Sequence, residues 1–152
     1  MRLVALLLTL AAPPALAQVE WAPLPAALEA AEAQDRPALV YVQAAWCGPC
    51  RRLERETFAD PAVQDRLRRF TRARLTVDDR DRQHRVDAWR LSEAEWAAHY
   101  GAEATPTLVF LAPDGTVLGR QFGFLPSSGL LPILDTALAA AAPAPPEGET
   151  RR

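Results

Sequence analysis

The sequence predicts an α/β fold, a central sheet covered by helices, and three observations carry that prediction. Residues 38–42 and 107–111 are apolar at nearly every position and bounded by polar or turn residues. That is the pattern of strands buried on both faces. Stretches rich in helix formers alternate with the strands, which calls for helices packed on a sheet. Pro113-Asp114-Gly115 is a tight-turn signal that joins 107–111 to a hairpin partner over 116–122.

In chain order, residues 19–21 read as a short edge strand. Residues 24–34 are rich in Ala, Leu and Glu and favour a helix, which Pro37 closes. Strand 38–42 follows, then a charged helical stretch over 51–57. Asp60-Pro61 sets an N-cap before a proline at the first helical position and opens a helix through Arg68. Residues 70–77 alternate and read as a strand. Residues 79–100 are polar and read as helical, with Trp89, Leu91, Trp96 and Tyr100 as core contacts. Ser92 and Glu95 have capping-box spacing, so a helix restarts there and Gly101 ends it. A last helix covers 127–140, broken or entered at Pro132. No internal repeat is present.

Both ends are expected to lie outside the folded domain, 18–140. Arg2, an apolar run over 3–10 and the small residues of Ala15-Leu16-Ala17 have the layout of a secretory signal peptide over 1–17. The apolar run is too short for a stable membrane span, and no later stretch is long and apolar enough to supply one. The expected mature chain starts near Gln18, is soluble and is exported. In a Gram-negative host that means the periplasm. Residues 141–152 are rich in Pro and charge and have almost nothing to bury, so they read as a disordered tail.

A formal net charge of −2 favours no polyanionic partner, and the arginines are mixed with acids. Nucleic-acid binding is therefore not expected.

The chain has two cysteines, both in Trp46-Cys47-Gly48-Pro49-Cys50. With two residues between them the thiols meet when the second lies in the first turn of a helix. The first then sits at the helix N-terminus, where unpaired N–H groups and the positive dipole end favour a thiolate. The thiolate is the form that attacks a disulfide. Cys47 is thus expected to be the exposed nucleophile and Cys50 the buried resolving thiol. Structural zinc normally needs four ligands, and His84 and His99 lack the spacing of a finger. Residue 51 is Arg, not the His of a haem attachment site. A structural disulfide would close too small a loop to gain much. Copper(I) binding by the two thiolates stays open. No metal or organic cofactor is expected.

These residues resemble the thioredoxin superfamily over roughly 37–138. Three features carry the resemblance: Trp46 to Cys50 after a buried strand, Thr105-Pro106 before another, and Gly123 after the terminal hairpin. The resemblance implies a thioredoxin fold, a central mixed sheet flanked by helices, with a helical insertion before the strand that follows a cis Pro106. It implies catalytic Cys47 and Cys50 and a substrate groove formed by Trp46, Gly48, Pro49, Thr105, Pro106 and Gly123. Packing alone for Trp46 and an ordinary turn for Gly123 remain alternatives. Residues 57–63, with a strand ending at Val77-Asp78, are similar to the C-terminal thioredoxin-like domain of DsbD and to stand-alone periplasmic thioredoxin-like proteins. That likeness favours a reductase of disulfide-containing client proteins, recharged by a membrane-bound electron donor.

Two positions depart from the family. Tyr41 stands six residues before Cys47, where thioredoxin and the DsbD domain carry a buried Asp. With an unperturbed pKa of about 10, a tyrosine cannot serve as a neutral-pH base. Glu54 either substitutes for it or is a solvated helix charge. Residues 79–91 lengthen the link to Thr105, and Trp89 there either packs in the core or borders a partner surface. The rival readings are a disulfide oxidase or isomerase, and a non-catalytic thioredoxin-fold partner-binding module or copper carrier.

Overall fold

The computed structural model describes residues 19–142. The expected signal peptide and all but the start of the expected tail lie outside the described residues. The elements are α1 (Leu24–Ala33), β1 (Ala38–Gln43), α2 (Gly48–Arg52), a π-helical turn (Leu53–Thr57), α3 (Pro61–Leu67), β2 (Thr71–Thr76), β3 (Gln83–Val86), β4 (Trp89–Ser92), α4 (Glu93–His99), β5 (Thr107–Leu111), β6 (Val117–Phe122) and α5 (Ser127–Ala141).

β1 and β5 are the two interior strands, which is why their sequences are continuously apolar. The main sheet has the order β2-β1-β5-β6. β1 runs parallel to β2 and antiparallel to β5, and β6 pairs antiparallel with β5. Alternate side chains feed two cores. Leu39, Tyr41, Leu108 and Phe110 face a cluster with Phe58, Leu67, Leu130 and Leu134. Val40, Val42, Val109 and Leu111 face a second cluster with Leu24, Ala31, Trp96 and Tyr100. The two-residue period of a strand divides them in this way.

Local chemistry fixes the helix ends. Asp60 accepts from the N–H groups of Ala62 and Val63 at 2.8 and 3.3 Å and caps α3. Ser92 and Glu95 form the expected capping box of α4. After α1, Asp35 takes a positive φ of 48° and Arg36 N–H reaches back to Ala31 O at 2.9 Å. This is a Schellman ending on a non-glycine residue. α5 continues through Pro132 to Ala141, so that proline neither breaks the helix nor opens it.

Hydrogen bonding holds four carboxyls below their usual range. Asp60 is lowered first by the Ser127 side chain, Asp79 by Arg82 N–H, Glu95 by Ser92 N–H and Asp114 by Thr116 N–H. A carboxyl depressed in the folded state binds fewer protons there than in the unfolded chain. Its stabilisation is complete above the unfolded values of 3.8 for Asp and 4.5 for Glu, and fades as pH falls through the lower folded values. Thermal unfolding measured from pH 6 down to pH 2 should show Tm falling mainly below about pH 4.5. A flat profile there would contradict these bonds.

Three expectations need correction. Residues 79–91 contain no helix: β3 and β4 pair as an antiparallel hairpin with Val86 opposite Trp89. Helix-compatible composition loses here to tertiary contacts. Glu93, buried at the start of α4, accepts from Thr76 N–H at 2.8 Å and lies 3.0 Å from His84 Nε2. Trp96 Nε1 donates to His84 O at 3.1 Å. Trp89 is 64% exposed and is no core residue, whereas Trp96 and Tyr100 are buried as expected. The edge strand over 19–21 shrinks to a single parallel bridge between Ala22 and Ala73.

Candidate active site

The chain leaves β1 at Gln43 and turns into α2 through Trp46 and Cys47. Cys47 is the N-cap of α2, and Cys50 lies in its first turn. The two are joined as a disulfide with S–S 2.05 Å. Cys50 N–H donates to Cys47 Sγ at 3.1 Å. A donor aimed at this sulfur favours its anionic form once the bond is reduced, as helix N-termini do. Arg51 Nη1 donates to Ala45 O at 3.0 Å and ties the loop before the motif to the helix after it.

The expected contrast in exposure between the cysteines is absent. Cys47 is 2% exposed and Cys50 1% in the disulfide form. Both sulfurs face inward from a loop that wraps the end of the core. What distinguishes the two residues is helix position: one caps, the other lies inside. Trp46 is 68% exposed, which leaves a large apolar side chain beside Cys47 rather than in the core.

Sheet register brings the distant segments to this end. Val42 pairs with Thr107, and Thr107 with Phe122. Pro106 and Gly123, one step beyond each strand, therefore lie at the same sheet end as Gln43. The Thr105–Pro106 bond is cis. Gly123 N–H donates to Pro106 O at 2.8 Å, and its φ of 78° is the left-handed conformation that favours glycine. Trp46, Gly48 and Pro49 thus share one sheet end with Thr105, Pro106 and Gly123.

Phe122 and Phe124 flank Gly123 and were not singled out from sequence. Phe122 is 46% exposed, and the Arg52 guanidinium carbon lies 4.1 Å from the Phe124 ring centroid. Each reads locally as an ordinary strand or turn residue; only the register places them here.

Tyr41 lies beneath the motif, fully buried against Trp21 and Phe58 with ring centroids at 5.2 and 5.3 Å. Its hydroxyl donates to Glu54 Oε1 at 3.2 Å, and Cys50 O lies 3.5 Å away. Glu54 is therefore more than a solvated helix charge: the π-helical turn presents its carboxylate to the buried phenol. Burial first, then the Glu54 charge, pushes the Tyr41 phenol far above its ordinary range. Burial pushes Tyr100 up to about 12. These are the chain's two tyrosines. Absorbance titration of the folded protein should therefore show little phenolate at pH 10, where a free tyrosine is half ionised. A raised phenol stabilises below the unfolded pKa, and that contribution is lost as pH rises through the folded value. Phenolate appearing near pH 10 would refute the buried placement.

Among the described residues no cluster of three or more His, Cys, Asp or Glu could hold a metal ion. No helix of the described residues is long and apolar enough to cross a membrane.

Comparison with known proteins agrees with this fold. A family model described as a thioredoxin-like domain matches residues 24–138. The chain is similar to a thioredoxin from Thermus thermophilus, at 29% identity and TM-score 0.69, covering 82% of this chain and 91% of that one. It is similar to a putative disulphide-isomerase from Bacteroides thetaiotaomicron, at 28% identity and TM-score 0.61, covering 78% and 89%. It shares its fold with the DsbD C-terminal domain of Neisseria meningitidis, at 19% identity and TM-score 0.57, covering 74% and 90%.

Proposed function

We propose, from the premise that this chain belongs to the thioredoxin-like domain family, that it is an exported reductase of protein disulfides working through Cys47 and Cys50. The observation that carries the reading is the placement of Cys47 at the N-cap of α2, with its sulfur on a backbone N–H. The placement of Thr105-Pro106 and Gly123 at the same sheet end supports it.

The cycle starts from the dithiol. A client segment docks along Trp46, Gly48, Pro49, Thr105, Pro106 and Gly123. The Cys47 thiolate attacks one client sulfur; the other leaves as a thiolate and takes a proton. Cys50, having given up its proton, attacks Cys47 Sγ and expels the second client sulfur. The client gains two electrons and two protons, and Cys47–Cys50 closes as the disulfide. A membrane-bound thiol donor restores the dithiol by the same exchange. The segment 1–17 directs export. The similarity to a thioredoxin favours reduction over oxidation.

Equilibration with defined thiol buffers tests the direction. Thioredoxin lies at about −270 mV and the oxidant DsbA at about −120 mV. A potential near the thioredoxin end is expected. One near the DsbA end would reverse the proposed electron flow and leave the catalytic pair in place.

A further inference from the structure

The β3–β4 hairpin takes no part in the chemistry at Cys47, yet it builds a recess of its own. A groove of about 480 Å³ lies between its tip, α1, α4 and the β5–β6 turn. Val86 and Leu91 anchor the hairpin on the second core cluster, whereas the cysteines belong to the first. The groove is therefore on the face of the sheet opposite the cysteine pair.

One side of the groove is aromatic. Trp89 stands at the hairpin tip with most of its indole in solvent. Trp96, His99 and Tyr100 of α4 line it too, with ring centroids between 5.2 and 5.9 Å apart. The other side is acidic. Glu29 and Glu32 come from one face of α1, Asp87 from the hairpin turn and Asp114 from the β5–β6 turn. Arg85 is the only Lys or Arg lining it among the described residues. No ion pair among the described residues engages any of the four carboxylates.

The base of the hairpin is fixed. Glu93 bonds Thr76 N–H and His84, and Arg82 Nη1 lies 3.5 Å from the same carboxylate. Trp89 is thus held out by a built support. An exposed indole beside carboxylates that no ion pair neutralises matches one ligand chemistry: a cation on an apolar stem, attracted by ring and charge together. Anionic surfaces such as nucleic acid or acidic lipid are repelled.

We propose that this groove binds a basic segment of a partner protein. A lysine or arginine stem lies along Trp89, and its charge sits among Glu29, Glu32, Asp87 and Asp114. This site is independent of the thiol chemistry and does not rest on the reductase reading.

The test is an NMR titration of the full chain with the blocked tetrapeptide acetyl-Gly-Lys-Arg-Gly-amide, against the same peptide with norleucine at both central positions. Saturable shifts are expected at the hairpin tip, the Trp89 indole and α1, with none from the norleucine peptide. Trp89→Ala should weaken binding roughly ten-fold. Glu29→Gln with Glu32→Gln should weaken it and flatten its salt dependence. Trp89 is exposed, so its variant should keep the parent's Tm and thiol–disulfide activity, which separates lost binding from lost folding. Three results would overturn the proposal: no saturable shift at millimolar peptide, shifts spread over other acidic faces, or a folded Trp89→Ala variant that binds like the parent.

Discussion

Cys50→Ala is expected to turn Cys47 into a covalent trap, and Cys47→Ala to abolish disulfide exchange altogether. The two outcomes differ because the cysteines occupy different places in one short helix. Cys47 caps it and keeps a backbone N–H on its sulfur, so its thiolate still forms and still attacks when Cys50 is gone. Without a second thiol the mixed disulfide has no internal route to resolution, and it accumulates. Without Cys47, the remaining thiol of Cys50 lies inside the helix rather than at its N-cap, the position that favours the attacking thiolate. Turnover of a protein disulfide with a thiol donor, and non-reducing mass spectrometry of the adducts, read both effects. Cys50→Ala without adducts, or Cys47→Ala with turnover above the buffer background, would sink the assignment.

Glu93→Ala is expected to be strongly destabilising although it lies far from the cysteines. The Glu93 carboxylate is 3% exposed and serves three groups: Thr76 N–H at 2.8 Å, His84 Nε2 at 3.0 Å and Arg82 Nη1 at 3.5 Å. Truncation leaves the Thr76 N–H and the His84 ring in a buried setting without an acceptor, and a cavity as well. A loss of roughly 3 kcal/mol follows from unmet buried hydrogen bonds of charged character. That corresponds to a Tm fall on the order of 10 °C for a domain of this size. Glu93→Gln keeps the shape and some of the bonds and should lose less. The cysteine pair lies across the sheet, so exchange activity below the lowered Tm should persist. A fall of less than about 0.5 kcal/mol, the range of ordinary surface changes, would mean the cluster does not hold the hairpin.

Much of the fold could be read from local pattern. The continuous apolar runs over 38–42 and 107–111 are the interior strands β1 and β5. Asp60 and Ser92 cap the helices they were expected to cap. The cysteine pair was equally legible, because its spacing and Pro49 act within one helical turn. These are short-range signals, and residues a few positions apart determine them.

Residues 79–91 show where such signals stop. Alternation of His84 and Val86 around an Asp87 turn was present, but the polar composition fitted a helix as well. The choice fell to Glu93 and Trp96, which bond back to His84. The inward turn of Cys47 and the Tyr41–Glu54 bond have the same origin. The sequence by itself determined the interior strands, the helix caps and the thiol pair, since hydrophobic periodicity and capping are local properties of the chain. Only the tertiary structure decided what those residues face, because burial and side-chain pairing depend on segments far apart in the chain that meet when the sheet closes.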